Sequence, residues 1–242
     1  MISPKLNNFV FFGTDEFAVA VLDELLKSHC EPALIVTTPD MKTGRGRRLT
    51  PPAVKLWAEE NKIPFLQPAN LRSDLETSLR SDLGLKLFLV ASYGKIIPPT
   101  IFNLPKYGTL NIHPSLLPKY RGPTPIQSAI LAGEAETGVS LMLVDEKVDH
   151  GPILQTKSYN LKAKSFVEAR DELAELGAQL FTKILPDWVA GKIKAVPQDH
   201  SQATDTKKIR KEDGEINLSQ GDTFIPQGAA LYRKFLAFNP WP

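Results

Sequence analysis

An asparagine and a histidine stand two positions apart near the middle of the chain, at Asn111 and His113. The apolar residues beside them predict a strand over residues 108–112, and side chains two positions apart in a strand point to the same side of the sheet. An amide donates hydrogen bonds to a developing oxyanion, and a near-neutral imidazole takes and gives a proton. The pair therefore suits transfer of an acyl-type group without a protein nucleophile. The alternative is a buried histidine beside an asparagine that completes a turn.

A carboxylate that could complete this pair is Asp149, in a polar loop after a predicted strand over residues 139–144. An aspartate there would orient the imidazole and stabilise its charged form. We favour Asp149 over Asp145 because Asp149 stands just before Gly151, and its alternative role is an Asx-turn. His150 is predicted to lie on the surface, because adjacent side chains diverge.

Strand-like and helical patterns alternate along the chain and must position these residues. Short apolar runs predict strands over residues 9–12, 33–37, 87–90, 108–112, 139–144 and 153–158. Helical spacing and capping residues predict helices over residues 17–27, 50–61, 73–84 and 124–133, and a long helix from Ser165 that Pro186 should end or kink. Thr50 is the predicted cap of the second helix, and residues 39–50 are predicted to form a polar loop.

This alternation predicts an α/β fold with an open, mostly parallel, doubly wound sheet and helices on both faces. Sheets of this kind bind ligands at the carboxyl ends of their strands, where Asn111 and His113 fall. Only Gly13 follows the first strand, where a dinucleotide fingerprint needs three glycines, so we expect no dinucleotide phosphate there. The predicted domains are a catalytic domain over residues 1–191, a basic linker over 192–214, and over 215–242 the start of a C-terminal domain too short to form its own core.

Composition limits the class of protein. With 242 residues, 42% hydrophobic and 23% charged, the chain can bury a substantial core, and no apolar run approaches the roughly 18 residues of a membrane helix. Cys30 is the single cysteine, and with four scattered histidines it forms no zinc-ligand pattern, so we expect neither a disulfide nor a metal. The first residues lack a signal-peptide cleavage site, which predicts a cytoplasmic protein.

Positive charge is concentrated in two segments. Residues 40–48 hold four basic residues against one aspartate, and residues 192–211 hold six against two. Two basic segments on a mildly acidic body suit contact with a polyanion, although a solvated face is the common alternative.

Taken together, these segments resemble the methionyl-tRNA formyltransferases, within the wider group of enzymes that transfer formyl from 10-formyltetrahydrofolate. The resemblance runs nearly from end to end, and the Asn-x-His-x-Ser-Leu-Leu-Pro sequence at 111–118 is a strong mark of the folate formyltransferases. The Gly-Arg-Gly sequence at 44–46 narrows the match to the tRNA branch. Further matching segments are 12–17, 38–40, 51–55, 91–94, 120–122, 136–138, 149–151 and 238–242.

The resemblance implies a formyltransferase-type Rossmann-like domain and roles for individual residues. It implies that the catalytic residues are Asn111, His113 and Asp149. It implies a folate site lined by Ser115, Leu116, Leu117 and Pro118, for which packing within the loop is the alternative role. For contacts with tRNA we predict Arg45, which the resemblance places in an inserted loop, together with Arg47, Arg48, Lys207 and Lys208.

Two features depart from the family pattern. Pro114 stands where glycine or alanine is more usual and has no N–H for an oxyanion, so more of that role falls on Asn111. The family also continues beyond the Phe-Asn-Pro-Trp-Pro sequence at 238–242 with a small β-barrel that contacts tRNA, so we expect a truncated C-terminal domain.

These expectations combine in one function. The protein would transfer the formyl group of 10-formyltetrahydrofolate to the α-amino group of methionine on initiator tRNA, for translation initiation, as a monomer that uses no metal and contacts no membrane. A sugar-nucleotide N-formyltransferase is the main alternative, since it would share the catalytic residues and the folate loop but use a small acceptor. A module that binds folate or RNA without turnover is the other alternative.

Overall fold

The computed structural model describes residues 9–43, 46–71, 86–215 and 224–242. Its strands are β1 Phe9–Phe12, β2 Leu34–Val36, β3 Met41–Thr43, β4 Arg48–Thr50, β5 Phe65–Leu66, β6 Leu87–Val90, β7 Thr109–His113, β8 Glu136–Leu143 and β9 Ile153–Asn160. Its α-helices are α1 Glu16–Lys27, α2 Ala53–Asn61, α3 Pro99–Phe102, α4 Pro125–Ala132, α5 Phe166–Val189 and α6 Phe224–Phe238. The predicted helix over residues 73–84 and the predicted tRNA contact Arg45 lie outside the described residues.

Seven of these strands form one sheet in the order β5-β2-β1-β6-β7-β8-β9. The first five strands in this order run parallel, and β8 and β9 are antiparallel to their neighbours. This topology confirms the predicted α/β fold with an open, mostly parallel sheet. It also brings the carboxyl ends of β1, β6 and β7 to the same edge, which we call the carboxyl edge.

The central strand β1 is buried on both faces, which explains its continuous apolar sequence. Phe9 and Phe11 point into one core cluster, shared with α1, α2, α4 and α5. Val10 and Phe12 point into a second cluster on the other face, which includes residues of α3. Aromatic contacts form on both faces, since the ring of Phe9 lies 5.7 Å from that of Phe181 on α5 and the ring of Phe12 lies 5.4 Å from that of Tyr93. The sheet is therefore a rigid platform for its carboxyl edge.

Two helices begin at the residues that the sequence predicts. Ser165 and Glu168 form the predicted capping box at the start of α5. Helix α4 begins directly after Thr124 with Pro125 in its first turn, and it ends at Gly133, whose φ of 75° is the left-handed conformation that glycine adopts without strain. These predictions are confirmed.

The predicted loop over residues 39–50 is wrong in part, because β3 and β4 pair there as an antiparallel hairpin. The pairing places Thr50 opposite Met41 and draws it into a strand. Thr50 therefore does not cap the next helix. Helix α2 begins at Ala53, with Pro52 as its N-cap residue.

Of the two effects predicted for Pro186, the end of the long helix is wrong, because α5 continues to Val189, and the kink stays a prediction. The indole N–H of Trp188 donates to the carbonyl oxygen of Tyr107 at 2.9 Å and anchors the last turn. The N–H of Ala190 donates to the carbonyl oxygen of Pro186 at 3.0 Å. Pro186 has no N–H to donate to the carbonyl four residues earlier, so one helical hydrogen bond is lost there. The contacts of Trp188 and Ala190 hold the turn that follows.

The segment after α5 packs against the sheet and its loops. Val196 exchanges two backbone hydrogen bonds of 2.8 Å with Ile153 on β9. Asp205 lies beside Arg121, where the N–H of Arg121 donates to the carbonyl oxygen of Thr204 at 2.8 Å. We call residues 196–207 the strap, because they cross over the loop that joins β7 to α4.

Candidate active site

The last residues of β7 carry the first two candidate side chains to the carboxyl edge. Asn111 pairs with Met142 and His113 with Ser140 on the neighbouring strand β8. Ile112, between them, is 1% exposed and belongs to the core. The alternation of side chains along the strand thus directs Asn111 and His113 to one side, as predicted.

Asp149 reaches the same place from the loop between β8 and β9. Its Oδ2 lies 3.5 Å from Nδ1 of His113, and its Oδ1 lies 3.3 Å from Nδ2 of Asn111. The structure therefore brings the three predicted catalytic residues together, and we call Asn111, His113 and Asp149 the edge cluster. The side chains of His113 and Asp149 are 5% and 13% exposed, so their charges interact more strongly than they would in bulk water.

The backbone of this loop is specialised to present Asp149. Asp149 itself has a φ of 49°, a left-handed conformation that aspartate tolerates better than most residues. Two positions later, a Cβ at Gly151 would overlap the carbonyl oxygen of Leu143. Glycine is thus required where the loop returns to the sheet. This explains physically why Gly151 follows Asp149, the feature by which the sequence favours Asp149 over Asp145.

The two ring nitrogens of His113 have different neighbours. Nε2 lies 2.9 Å from the carbonyl oxygen of Tyr120. Because that oxygen only accepts, Nε2 carries a hydrogen in either charge state. Nδ1, which lies 3.5 Å from Oδ2 of Asp149, is therefore the ring nitrogen that has no backbone carbonyl to bind.

Asp149 is held by two donors besides its contact with His113. The backbone N–H of Gly122 donates to Oδ2 at 2.8 Å, and Nδ2 of Asn111 donates to Oδ1 at 3.3 Å. An amide nitrogen carries two hydrogens, so the second hydrogen of Asn111 stays available for a substrate oxygen. The carboxylate thus orients both the amide and the imidazole.

Sequence reasoning missed the residues that fix this arrangement. Tyr120 contributes a carbonyl oxygen and Gly122 contributes an N–H, and neither group leaves a side-chain signal in a sequence. Both residues fall in the matching segment 120–122, which was the one available hint. The strap also holds this loop, since the N–H of Tyr120 donates to Oγ1 of Thr204 at 2.8 Å.

His150 was predicted to lie on the surface, but it is half-buried. Its ring stacks on that of His200, with centroids 4.0 Å apart, and its Nδ1 lies 2.7 Å from Oδ2 of Asp145. Nδ1 of His200 lies 2.9 Å from Nη2 of Arg121, and because a guanidinium only donates, this Nδ1 accepts. Desolvation lowers the pKa of His200, and the nearby charges of His150 and Arg121 lower it further, which agrees with a neutral ring.

The four predicted folate residues divide into two pairs. Ser115 is fully buried, its Oγ donates to the carbonyl oxygen of Lys119 at 2.7 Å, and Leu117 is also buried. Both are tied to Ser140, whose Oγ donates to the carbonyl of Ser115 and accepts from the N–H of Leu117. Leu116 and Pro118 are half-buried. Ser115 and Leu117 therefore shape the loop, and the half-buried Leu116 and Pro118 are better placed to contact a ligand.

Leu116 also borders a cleft of about 200 Å³ on the side of β8. The lining residues are Leu116, Lys119, Tyr120, Glu134, Glu136 and Thr137. The edge cluster does not line this cleft, so the folate role of Leu116 stays a prediction.

The predicted tRNA contacts that the structure describes lie in two exposed segments. Arg47 and Arg48 are exposed in the hairpin formed by β3 and β4. We call its described residues, 41–43 and 46–50, the basic hairpin. Lys207 and Lys208 are exposed at the end of the strap. The backbone carbonyl of Lys207 accepts from Oγ1 of Thr124 at 2.8 Å, which ties this end of the strap to the residue before α4.

Within the ranges that the structure describes, no group of three or more His, Cys, Asp or Glu side chains is arranged to hold a metal ion. None of the described helices is long and apolar enough to cross a membrane.

Comparison with known proteins assigns a class to this fold and site. A family model described as Formyl transferase matches residues 7–186. A crystal structure of an N-formyltransferase from Helicobacter canadensis, in complex with folinic acid and dTDP-3-aminofucose, superposes with a TM-score of 0.65 and 20% sequence identity, covering 95% of this chain and 80% of that one. That likeness concerns the fold. The chain is thus a member of the formyl transferases.

Relatives at higher identity narrow the class. A methionyl-tRNA formyltransferase from Chloroflexus aurantiacus is 44% identical over 234 residues, which cover 96% of this chain and 74% of that protein. Another, from Methylococcus capsulatus, is 40% identical over 234 residues with the same coverage. The chain belongs to the methionyl-tRNA formyltransferase family.

Proposed function

We propose that the edge cluster carries the chemistry of this chain and that Asn111, His113 and Asp149 are its catalytic residues. The protein transfers the formyl group of 10-formyltetrahydrofolate to the α-amino group of methionyl-initiator tRNA, for translation initiation. The observation that carries the residue assignment is that the Asn111 amide and the His113 imidazole both lie within 3.5 Å of the Asp149 carboxylate at the carboxyl edge.

Each residue has one task in this transfer. The free hydrogen of the Asn111 amide binds the formyl oxygen as negative charge develops on it. Nδ1 of His113 takes the proton that the α-amino nitrogen loses as it bonds to the formyl carbon. The same nitrogen returns the proton to the folate nitrogen as its bond to that carbon breaks. Asp149 stabilises the imidazolium between these two steps.

The remaining predicted contacts belong to the same proposal. Leu116 and Pro118 supply apolar contacts to the folate, while Ser115 and Leu117 hold their loop. Arg45, Arg47, Arg48, Lys207 and Lys208 contact phosphates of the tRNA. The exposure of the four described members of this set supports the assignment.

We further propose that the chain acts as a monomer in the cytoplasm. All three residues of the edge cluster come from one chain, so the chemistry needs no second copy. The acceptor supports the cytoplasm as the compartment, because charged initiator tRNA is used where translation starts. We also propose the domain division at residues 191 and 214. The strap lies within the proposed linker and packs against the catalytic domain.

Transfer to a defined acceptor tests the function. The protein is incubated with 10-formyltetrahydrofolate and, separately, with methionyl-initiator tRNA, uncharged initiator tRNA and an amino-sugar nucleotide. We expect N-formylmethionine from the charged tRNA and no product from the other two. Formylation of the sugar nucleotide in place of the charged tRNA would contradict the proposed acceptor.

A further inference from the structure

Gln198 joins the strap to the loop that carries Asp149. Its side chain is 6% exposed, and its Nε2 donates to the carbonyl oxygen of Asp149 at 2.9 Å and to that of Gly151 at 2.8 Å. Both hydrogens of the amide nitrogen are therefore used on the two carbonyls that flank His150. These bonds fix the backbone on either side of the turn from which the carboxylate projects.

Arg121 fixes the orientation of that amide. It is 8% exposed, and its Nε and Nη2 donate to Oε1 of Gln198 at 3.2 and 2.6 Å. A guanidinium only donates, so the atom facing it must be the amide oxygen, and the amide nitrogen must face the loop. The amide of Gln198 thus has one orientation that satisfies both sides.

Arg121 is itself held between the same two layers. Its backbone exchanges hydrogen bonds with Thr204 and Thr206 of the strap at 2.8 and 2.7 Å. It also lies next to Gly122, whose N–H binds Oδ2 of Asp149. The backbone donor to the carboxylate and the support beneath the Asp149 turn therefore come from one connected unit.

We propose that Gln198 is a positioning residue for formyl transfer, which acts by fixing Asp149 against His113 and Asn111, with Arg121 setting the orientation of its amide. This inference rests on the proposed role of Asp149. A shift of the turn moves the carboxylate away from Nδ1 of His113, where the separation is already 3.5 Å. A displacement of about 1 Å at a reacting group costs on the order of a hundredfold in rate.

Two substitutions remove the donors in different ways. Gln198→Met keeps the length of the side chain and removes its amide. Gln198→Glu keeps an oxygen for Arg121 and replaces the N–H groups by an oxygen that faces the two loop carbonyls. The matched controls are Gln202→Met and Gln202→Glu, since Gln202 belongs to the same strap and its Nε2 donates at 2.8 Å to Asp199, away from the Asp149 turn.

The measurements are kcat, both KM values and the thermal unfolding midpoint with initiator methionyl-tRNA. We expect both Gln198 variants to lose about 10- to 100-fold in kcat, with both KM values within about twofold of wild type. The Gln202 variants should match wild type. In an Asp149→Asn background, Gln198→Met should cost less than twofold in addition, because the group that it positions is already removed.

The outcomes separate this inference from the proposed function. A folded Gln198 variant with wild-type kcat, or an equal rate loss from Gln198→Met in both backgrounds, overturns the positioning role. If Gln198→Met does not fold, Gln198→Glu decides by the same criteria. An Asp149→Asn enzyme with wild-type kcat instead overturns the catalytic role of Asp149 on which the inference rests.

Discussion

The edge cluster and the basic hairpin use charge in opposite ways. At the carboxyl edge, His113 is 4% exposed, and Asp149 is fixed by Gly122, Asn111 and the loop geometry around Gly151. In the hairpin, residues 46–50 are all exposed, and they include the whole of β4. The groups that we propose for catalysis are thus buried and oriented in advance, whereas the charges that we propose for a long polyanion lie at the surface.

This contrast has an energetic basis. Hydrogen-bond donors and charges in a site that excludes water act strongly and need little reorganisation during the reaction. Exposed charges are screened by salt and contribute mainly to binding and encounter. Substitutions in the edge cluster should therefore change kcat, and substitutions in the hairpin should change the KM for tRNA and its dependence on salt.

A large effect, second to that of Asp149→Asn, should come from Asn111→Ala. The substitution removes the donor to the formyl oxygen, and loss of one such donor costs on the order of 100- to 1,000-fold in kcat. The measurement is the single-turnover rate with saturating tRNA. Asn61→Ala is the control, because Asn61 is a half-buried amide that donates to the carbonyl of Trp57 at the end of α2. Near-native turnover by the Asn111 variant would refute its role as oxyanion donor.

A smaller effect is expected from Gly151→Ala, which tests the backbone that positions Asp149 rather than a reacting side chain. The new Cβ overlaps the Leu143 carbonyl oxygen and shifts the Asp149 turn, so kcat should fall about tenfold or more. Gly191→Ala is the matched control. Gly191 has a positive φ, of 71°, which Gly151 does not, and a Cβ at Gly191 meets nothing within 4 Å. That variant should therefore lose about 1–2 kcal/mol of stability and keep its kcat. Equal kcat values for the two variants would show that the turn does not position Asp149.

The smallest effect should come from the double variant Arg47→Ala/Arg48→Ala. We expect the KM for tRNA to rise several-fold with little change in kcat, and the log–log salt dependence to become shallower by roughly 0.9 for each phosphate that the protein no longer neutralises. Lys162→Ala/Lys183→Ala removes the same charge from exposed positions after β9 and on α5. If both double variants show the same salt dependence as wild type, the hairpin does not bind tRNA through these arginines.

The sequence predicted the parts of the site that depend on local geometry. Asn111 and His113 follow from the two-residue period of a strand, and the fold follows from buried strands that alternate with capped helices. Asp149 was found through a glycine two positions later, and the structure shows why that glycine is needed. Each of these features leaves a pattern within a few residues.

Other parts of the site leave no such pattern. Gln198 meets Arg121 across 77 positions of sequence, and Tyr120 and Gly122 act through backbone atoms that every residue possesses. The hairpin was predicted as a loop because its strands are short and polar, so cross-strand pairing decides their structure rather than hydrophobic pattern. These features depend on tertiary contacts, which one sequence does not display.

The most direct test of the edge cluster is the kcat of Asp149→Asn. Asparagine keeps the size of the side chain and tolerates the left-handed backbone at this position, so the loop should keep its shape while the negative charge is lost. With the imidazolium no longer stabilised, kcat should fall on the order of 1,000-fold or more, with the unfolding midpoint nearly unchanged. A folded Asp149→Asn enzyme with a rate within a few-fold of wild type would contradict a site built from Asn111, His113 and Asp149.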